Sequence, residues 1–131
     1  MSVELVRAPA LTDEVGYAYA AVVRPGSLVF TAGACPLDDD GGIVAPGDVT
    51  AQARRTMENL VVALEACGCS LADVAKSTIY VASTNRDDLV DVWHVVSAAF
   101  GDHDAPSTLL GVSLLGYPEQ LVEIEAVAVR P

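Results

Sequence analysis

The sequence predicts a single α+β domain over residues 1–131, with its elements in the order ββαβαββ. Two stretches, beginning near Val49 and Leu89, repeat apolar residues at the spacing of three and four that is typical of a helix. The segments around them are short and rich in β-branched and aromatic residues, which favours strands. A chain of 131 residues with 52% hydrophobic and 19% charged residues can bury a core without metal or disulfide help.

The first two predicted strands are Tyr17–Val23 and Leu28–Gly33. Pro25 and Gly26 lie between them and form a turn signal, so the two segments are expected to pair as a hairpin. The stretch Pro36–Gly47 is rich in turn-forming residues and lacks periodicity, which indicates a surface loop.

The first helix is predicted to begin at Asp48 and to stop at Gly68, where glycine favours a helix end. Asn85 is a suitable N-cap for the second helix, which is expected to run to Gly101. The remaining strands are predicted at Val74–Ala82, Thr108–Leu114 and Leu121–Val129.

The predicted sheet has more apolar surface than its two helices can cover. Two amphipathic helices protect one face, whereas the predicted strands are apolar on both. The positive mean hydropathy of +0.40 agrees with an excess of apolar surface. We therefore expect an oligomer in which another copy covers the second face.

Charge argues against a nucleic-acid partner. Eighteen acidic residues against seven basic ones give a net charge of −11, which would repel phosphate backbones. The sequence has no basic patch and no aromatic stacking platform that would offset this repulsion.

The sequence also predicts a soluble, cytoplasmic protein with no membrane partner. Its first residues lack a basic region followed by an apolar run, and no stretch approaches the roughly 18 apolar residues of a membrane span. Three cysteines, Cys35, Cys67 and Cys69, are an odd number, and the last two are too close together for an ordinary bridge. Free thiols in a reducing compartment are the expectation.

The candidate catalytic chemistry lies in the last strand. Glu123 and Glu125 alternate with Val122, Ile124 and Ala126, so the two carboxylates share one face of the strand. Two like charges side by side on an apolar sheet are costly, because each opposes the ionisation of the other. Such a pair suggests a functional site.

Several segments together resemble the Rid (YjgF-like) family of imine and enamine deaminases. Tyr19 lies fourteen residues before Gly33, at the place where that family has the tyrosine of its Gly-Pro-Tyr motif. The other matching segments are the run 28–33 followed by Pro36, which is similar to VFxSGQxP; Gln52 with Asn59 and Leu60, similar to QTxxxxxNL; 73–80, similar to DVVKTTVY; and the VEIEA strand at 122–126.

The resemblance implies a mixed six-stranded sheet with two helices on one face, a chorismate-mutase-like fold, assembled as a homotrimer with ligand clefts between subunits. It implies Glu123 as the catalytic residue that positions water. The ligand-binding residues implied by the same matches, or standing at altered family positions, are Tyr19, Gly33, Trp93, Pro106, Ser107 and Thr108.

Pro106 is the departure that matters most, because deaminating members have an arginine there that holds the substrate carboxylate. Proline has neither the charge nor a backbone N–H. Two interpretations follow: a hydrolase acting on an imine or enamine other than the usual 2-imino acid, or a non-catalytic trimer that binds a small metabolite. An arginine from a neighbouring subunit could replace the missing cation; the candidates are Arg24, Arg54, Arg55 and Arg86.

Neither a cofactor nor a metal is expected. The sequence has no glycine-rich phosphate loop. His94 and His103 do not fall into any spacing typical of zinc or calcium ligands, although Asp102 and Asp104 flank the second histidine.

Overall fold

The computed structural model describes residues 2–131 and confirms the predicted α+β fold with two helices and, over this range, six strands. One strand, at Val3–Val6, is additional to the five that the hydrophobic pattern located. The elements are β1 (Val3–Val6), β2 (Ala20–Val23), β3 (Ser27–Phe30), α1 (Val49–Ala66), a short 3₁₀ helix (Leu71–Asp73), β4 (Val74–Val81), α2 (Arg86–Phe100), β5 (Ser107–Gly111) and β6 (Val122–Arg130).

The strands are hydrogen-bonded in two groups. Four form a sheet in the order β3-β6-β4-β5, which is mixed because β4 and β5 run parallel while the other pairs are antiparallel. β1 and β2 pair antiparallel with each other, Val3 opposite Val23. The central strand β6 is therefore paired along both edges.

The predicted hairpin between Tyr17–Val23 and Leu28–Gly33 is wrong. β2 pairs with β1, and β3 pairs with the distant β6, so the Pro25-Gly26 turn connects two strands that are not partners. The backbone N–H of Ala18 donates to the carbonyl of Asp104 at 2.8 Å, which draws the entry to β2 towards the loop before β5. A turn signal predicts only that the chain changes direction and not which strands pair. β3 pairs with β6, which is a longer apolar strand than β2.

Local sequence explains both helices. The Asp48 carboxylate accepts a hydrogen bond from the N–H of Ala51 at 3.0 Å and so caps α1 at the residue where the helical pattern was predicted to begin. The chain leaves α1 through Gly68 with φ of 75°, a conformation that glycine adopts without strain. Asn85 caps α2 through the N–H of Asp87, and Gly101 ends it.

The two faces of the four-stranded sheet differ sharply. One packs against α1 and α2 and is fully buried, and its strand residues include Ile79, Val81, Val122, Ile124, Ala126 and Ala128. Within residues 2–131 no helix packs against the other face, which we call the open face. Phe30, Leu28 and Leu110 lie on the open face, and their exposed fractions are 71%, 55% and 43%.

No helix in the described part of the chain is long and apolar enough to span a membrane.

Candidate functional site

Glu123 and Glu125 both lie on the open face, as the alternation along β6 predicts. Their neighbours on β4 are Tyr80, opposite Glu123, and Thr78, opposite Glu125. The Tyr80 hydroxyl donates to Oε1 of Glu125. This hydrogen bond, together with burial, raises the pKa of Tyr80, so the phenol keeps its proton and remains a donor to Glu125.

The Glu123 carboxylate is held at one of its two oxygens. Oε1 accepts from the Gln120 side-chain amide at 3.1 Å and from the Cys35 thiol at 3.3 Å. Oε2 has no hydrogen-bond partner among residues 2–131, yet it is not a buried atom. A carboxylate with one oxygen fixed and the other without a protein partner can accept a proton from a nearby water.

Gly33 makes this arrangement possible. After β3 the chain continues along β6 and pairs again where Ala34 faces Ile124, and this brings Gly33 against Glu123. A Cβ at position 33 would lie 2.2 Å from Oε2 of Glu123, which is far inside van der Waals contact. The absence of a side chain therefore lets the carboxylate lie flat against the backbone.

Helix α1 anchors the segment that follows Gly33. The Asn59 side-chain amide donates to the carbonyls of Cys35 and Leu37 at 2.8 and 3.0 Å. Burial, followed by the hydrogen bond to Glu123 and its negative charge, raises the pKa of Cys35 to about 11. The thiol therefore stays protonated near neutral pH and is a poor nucleophile. Its proton has two acceptors within reach, Oε1 of Glu123 at 3.3 Å and the Gly33 carbonyl at 3.5 Å, and the carboxylate is the nearer one.

The sequence-predicted ligand residues do not all lie together. Trp93 and Ser107 line a small cavity on the helix-covered side of the sheet, where the Ser107 hydroxyl donates to the Ala105 carbonyl at 2.9 Å. Tyr19 joins this region through Tyr17, whose ring lies 6.2 Å from that of Trp93 and 5.8 Å from that of Tyr19. Within one chain, this cluster lies across the sheet from Glu123.

Pro106 immediately precedes β5, and Thr108 is the second residue of that strand. Pro106 is buried, and its carbonyl accepts from the N–H of Ser77 at 2.9 Å. Thr108 is exposed on the open face and accepts from the Lys76 ammonium at 2.6 Å. Lys76 is the sole lysine of the chain and the only basic residue at a strand position of this face within the described range. It lines a pocket of about 270 Å³ with Phe30 and Glu125.

The four arginines considered as substitute cations differ in their surroundings. Arg24 pairs with Glu4 at 3.6 Å, and Arg55 pairs with Asp39 at 3.3 Å. Arg54 and Arg86 form no ion pair within residues 2–131. Because none of the four lies on the open face, within one chain they are not placed to serve Glu123.

A further groove lies elsewhere, between α1 and α2. It measures about 790 Å³, and its lining includes Arg54, Asp91 and His94 but neither Glu123 nor any of the predicted ligand-binding residues. No group of three or more potential metal ligands occurs within residues 2–131. We therefore place the candidate site at Glu123, where fixed donors and an open acceptor meet.

Sequence reasoning missed three residues near the two carboxylates. Gln120 precedes Glu123 by three positions in a loop, where no periodicity predicts its direction. Cys35 was expected only to be a free thiol, with no role beside Glu123. Tyr80 was available from alternation along β4, since its face is the one opposite Ile79, but its register against β6 needed the structure.

Comparison with known proteins gives concordant results. The family model described as Endoribonuclease L-PSP matches residues 11–130. The chain is 38% identical over 114 residues to 2-iminobutanoate/2-iminopropanoate deaminase of Salmonella typhimurium, covering 86% of this chain and 87% of that protein.

Solved structures agree with the sequence matches. YyfB from Yersinia pestis, described as belonging to the conserved Rid protein family, superposes with a TM-score of 0.92 at 27% identity, covering 98% of this chain and 99% of that one. E. coli TdcF with bound serine superposes with a TM-score of 0.69 at 32% identity, covering 100% and 99%.

Proposed function

The chain belongs to the Rid (YjgF-like) family, and from that premise we propose that it is a hydrolase that deaminates a reactive imine or enamine by adding water. The similarity to a 2-iminobutanoate/2-iminopropanoate deaminase supports this reaction class. The similarity to TdcF, solved with bound serine, supports a small ligand. No nucleic-acid partner is proposed, since the net charge is −11.

The observation that carries the proposal is the state of the Glu123 carboxylate. Its Oε1 is bound by the amide of Gln120 and the thiol of Cys35, while Oε2 is open. Imine hydrolysis requires a group that accepts and donates a proton next to a correctly positioned water. A carboxylate fixed in this way meets that need without a cofactor.

In the proposed reaction, water attacks the imine carbon while Oε2 of Glu123 takes one of its protons. The electron pair of the C=N bond moves to nitrogen, and the proton held by Glu123 passes to that nitrogen, which gives a carbinolamine. Glu123 then takes the proton of the carbinolamine hydroxyl and passes it to the nitrogen as the C–N bond breaks, so that ammonia leaves and the carbonyl forms. One imine and one water thus give one carbonyl compound and one ammonia.

Pro106 restricts the substrate class that we propose. At the family's arginine position it offers no charge for a substrate carboxylate. Losing a charge-assisted bidentate contact costs on the order of 2–5 kcal/mol. We therefore propose an imine or enamine without the usual 2-imino acid carboxylate.

We further propose that the site is completed between subunits of a homotrimer. The open face carries exposed Phe30, Leu28 and Leu110, an apolar surface that another copy would cover. Trp93 and Ser107 lie across the sheet from Glu123 within one chain. A neighbouring subunit would be needed for such residues to face the same ligand.

The test is a trapping assay with two sources of imine. An amine oxidase generates an imine without a carboxylate, a threonine dehydratase generates a 2-imino acid, and semicarbazide traps whichever remains. We expect the protein to speed hydrolysis of the amine-derived imine, with weak or no effect on the 2-imino acid. Glu123→Gln should lower the first rate by about 10²-fold or more.

Glu65→Gln is the matched control, because Glu65 is an exposed carboxylate on α1. It should leave the rate unchanged. Equal activity of the wild type on both imines would contradict the substrate restriction, and full activity of Glu123→Gln would contradict the assigned acceptor.

The second candidate function is a non-catalytic trimer that binds a small metabolite in the same cleft. Pro106 in place of the arginine favours it. Absence of hydrolysis with either imine, together with saturable binding of a small metabolite that Glu123→Gln weakens, would support this function over the hydrolase.

A further inference from the structure

We propose that Cys35 is a positioning residue for Glu123, whose thiol fixes Oε1 so that Oε2 is the oxygen that takes the proton from water. The inference rests on the proposed function, in which Glu123 is the proton acceptor. It assigns the two oxygens of one carboxylate different tasks.

The geometry around Glu123 supports this division. The Cys35 thiol and the Gln120 amide reach the same oxygen, at 3.3 and 3.1 Å. Gly33 packs against the other side of the carboxylate, and a Cβ added at Gly33 would lie 2.2 Å from Oε2. Rotation of the carboxylate would break both hydrogen bonds, so the donors select the orientation in which Oε2 remains free.

The backbone of Cys35 is held independently of its thiol. The Asn59 side-chain amide donates to its carbonyl at 2.8 Å, and the neighbouring Ala34 pairs with Ile124. The sulfur is therefore presented to Glu123 by two elements, α1 and β6, rather than by a free loop. A side chain placed so firmly can orient its partner.

The thiol is suited to permanent donation. Burial and the facing carboxylate raise the pKa of Cys35 to about 11, so ionisation does not remove the S–H at working pH. Cys35 thus differs from a reactive cysteine, which needs a lowered pKa.

The first experiment measures the coupling without any catalytic assay. The ¹³Cβ chemical shift of Cys35 is followed as the pH is raised, in the wild type, in Glu123→Gln and in Glu125→Gln. We expect a midpoint near the pKa of about 11 in the wild type and a lower midpoint in Glu123→Gln, because the negative charge beside the thiol is gone. Glu125→Gln is the matched control, since Glu125 bonds Tyr80 rather than Cys35, and its midpoint should equal that of the wild type.

The second experiment measures kcat and KM on the amine-derived imine. Cys35→Ala removes the donor and should lower kcat about tenfold with KM unchanged. Cys35→Ser keeps a hydroxyl donor and should restore most of the loss. Circular dichroism and light scattering of both variants confirm that fold and assembly are retained.

The outcomes separate this inference from the proposed function. If Glu123→Gln loses hydrolysis but leaves the Cys35 midpoint unchanged, or if Cys35→Ala is fully active, the positioning role is overturned and the hydrolase stands. If the midpoint falls as expected but the wild type hydrolyses no imine, the coupling is real and the hydrolase is overturned. A Cys35→Ser variant no better than Cys35→Ala would also overturn the positioning role.

Discussion

The two faces of the four-stranded sheet are built from the same strands and have opposite characters. On the helix-covered face, Ile79, Ile124 and Val122 are completely buried, and the hydroxyls of Ser77 and Ser107 on the same face bind each other. On the open face, the same strands present Glu123, Glu125 and exposed Phe30.

The difference shows how a fold separates stability from chemistry. Alternation along a strand gives each side chain one face or the other, so the helices can fix β6 through its even-numbered residues while its glutamates remain accessible. Polar groups on the open face bind one another in specific pairs, Tyr80 with Glu125 and Lys76 with Thr108. Stability can therefore be altered on one face and assembly or activity on the other.

The largest effect that we expect is loss of assembly from a single change on the open face. Phe30→Asp places a charge at an apolar position that is 71% exposed in the single chain, and burying that charge against another copy would be costly. Light scattering should show the wild type as a homotrimer and the variant as a monomer. Val62→Asp, at an apolar position on α1 that is 63% exposed, should stay trimeric; a trimeric Phe30→Asp would contradict the use of this face.

The sequence predicted the faces better than it predicted the strand partners. The alternation at Glu123 and Glu125, the start of α1 at Asp48 and the cap at Asn85 are local signals, and the structure bears them out. Pairing is a long-range property, and for that reason the hairpin across Gly26 was expected wrongly.

The carboxylate was predictable and its surroundings were not. Glu123 stands in a strand whose pattern is regular, whereas Cys35 and Gln120 reach it from irregular segments whose course depends on the Ala34–Ile124 pairing and the Asn59 anchor. The family resemblance located Gly33, but only the close approach to Oε2 gives that glycine a physical reason.

The second prediction concerns the helix-covered face. Ile79→Ala should lower the free energy of unfolding by about 2–5 kcal/mol, because the lost methyl groups leave a cavity in a fully buried site. Urea denaturation measures the change. Ile79→Val should cost less, roughly 0.5–1.5 kcal/mol, and Val90→Ala on the exposed side of α2 should stay within about 0.5 kcal/mol. Equal losses for Ile79→Ala and Val90→Ala would contradict the contrast between the faces.

The third prediction places an arginine at position 106, where the family resemblance implies one. Pro106→Arg should raise hydrolysis of the threonine-derived 2-imino acid by tenfold or more, because a bidentate clamp for the carboxylate returns at the family's position. The dehydratase-coupled assay with semicarbazide measures it.

The gain should also depend on Glu123. Glu123→Gln in the Pro106→Arg background should remove most of it, while in the parent the same change should alter little towards this substrate. A trimeric Pro106→Arg that gains nothing would show that arginine was not the limiting defect and would favour the metabolite-binding function.

The smallest effect is expected from Lys76, a cation on the open face. Lys76 stands opposite Val127, four residues from Glu123 along β6, which corresponds to about 13 Å of strand. Since that exceeds the roughly 8 Å screening length at physiological salt, Lys76→Met should raise KM for the 2-imino acid less than about threefold and leave kcat unchanged, as Arg86→Met on α2 should also do. A tenfold or larger rise in KM for Lys76→Met alone, with no change for the amine-derived imine, would contradict this expectation. Such a result would indicate that Lys76 reaches the cleft of a neighbouring subunit. Its ammonium would there bind the substrate carboxylate in place of the arginine that Pro106 replaces.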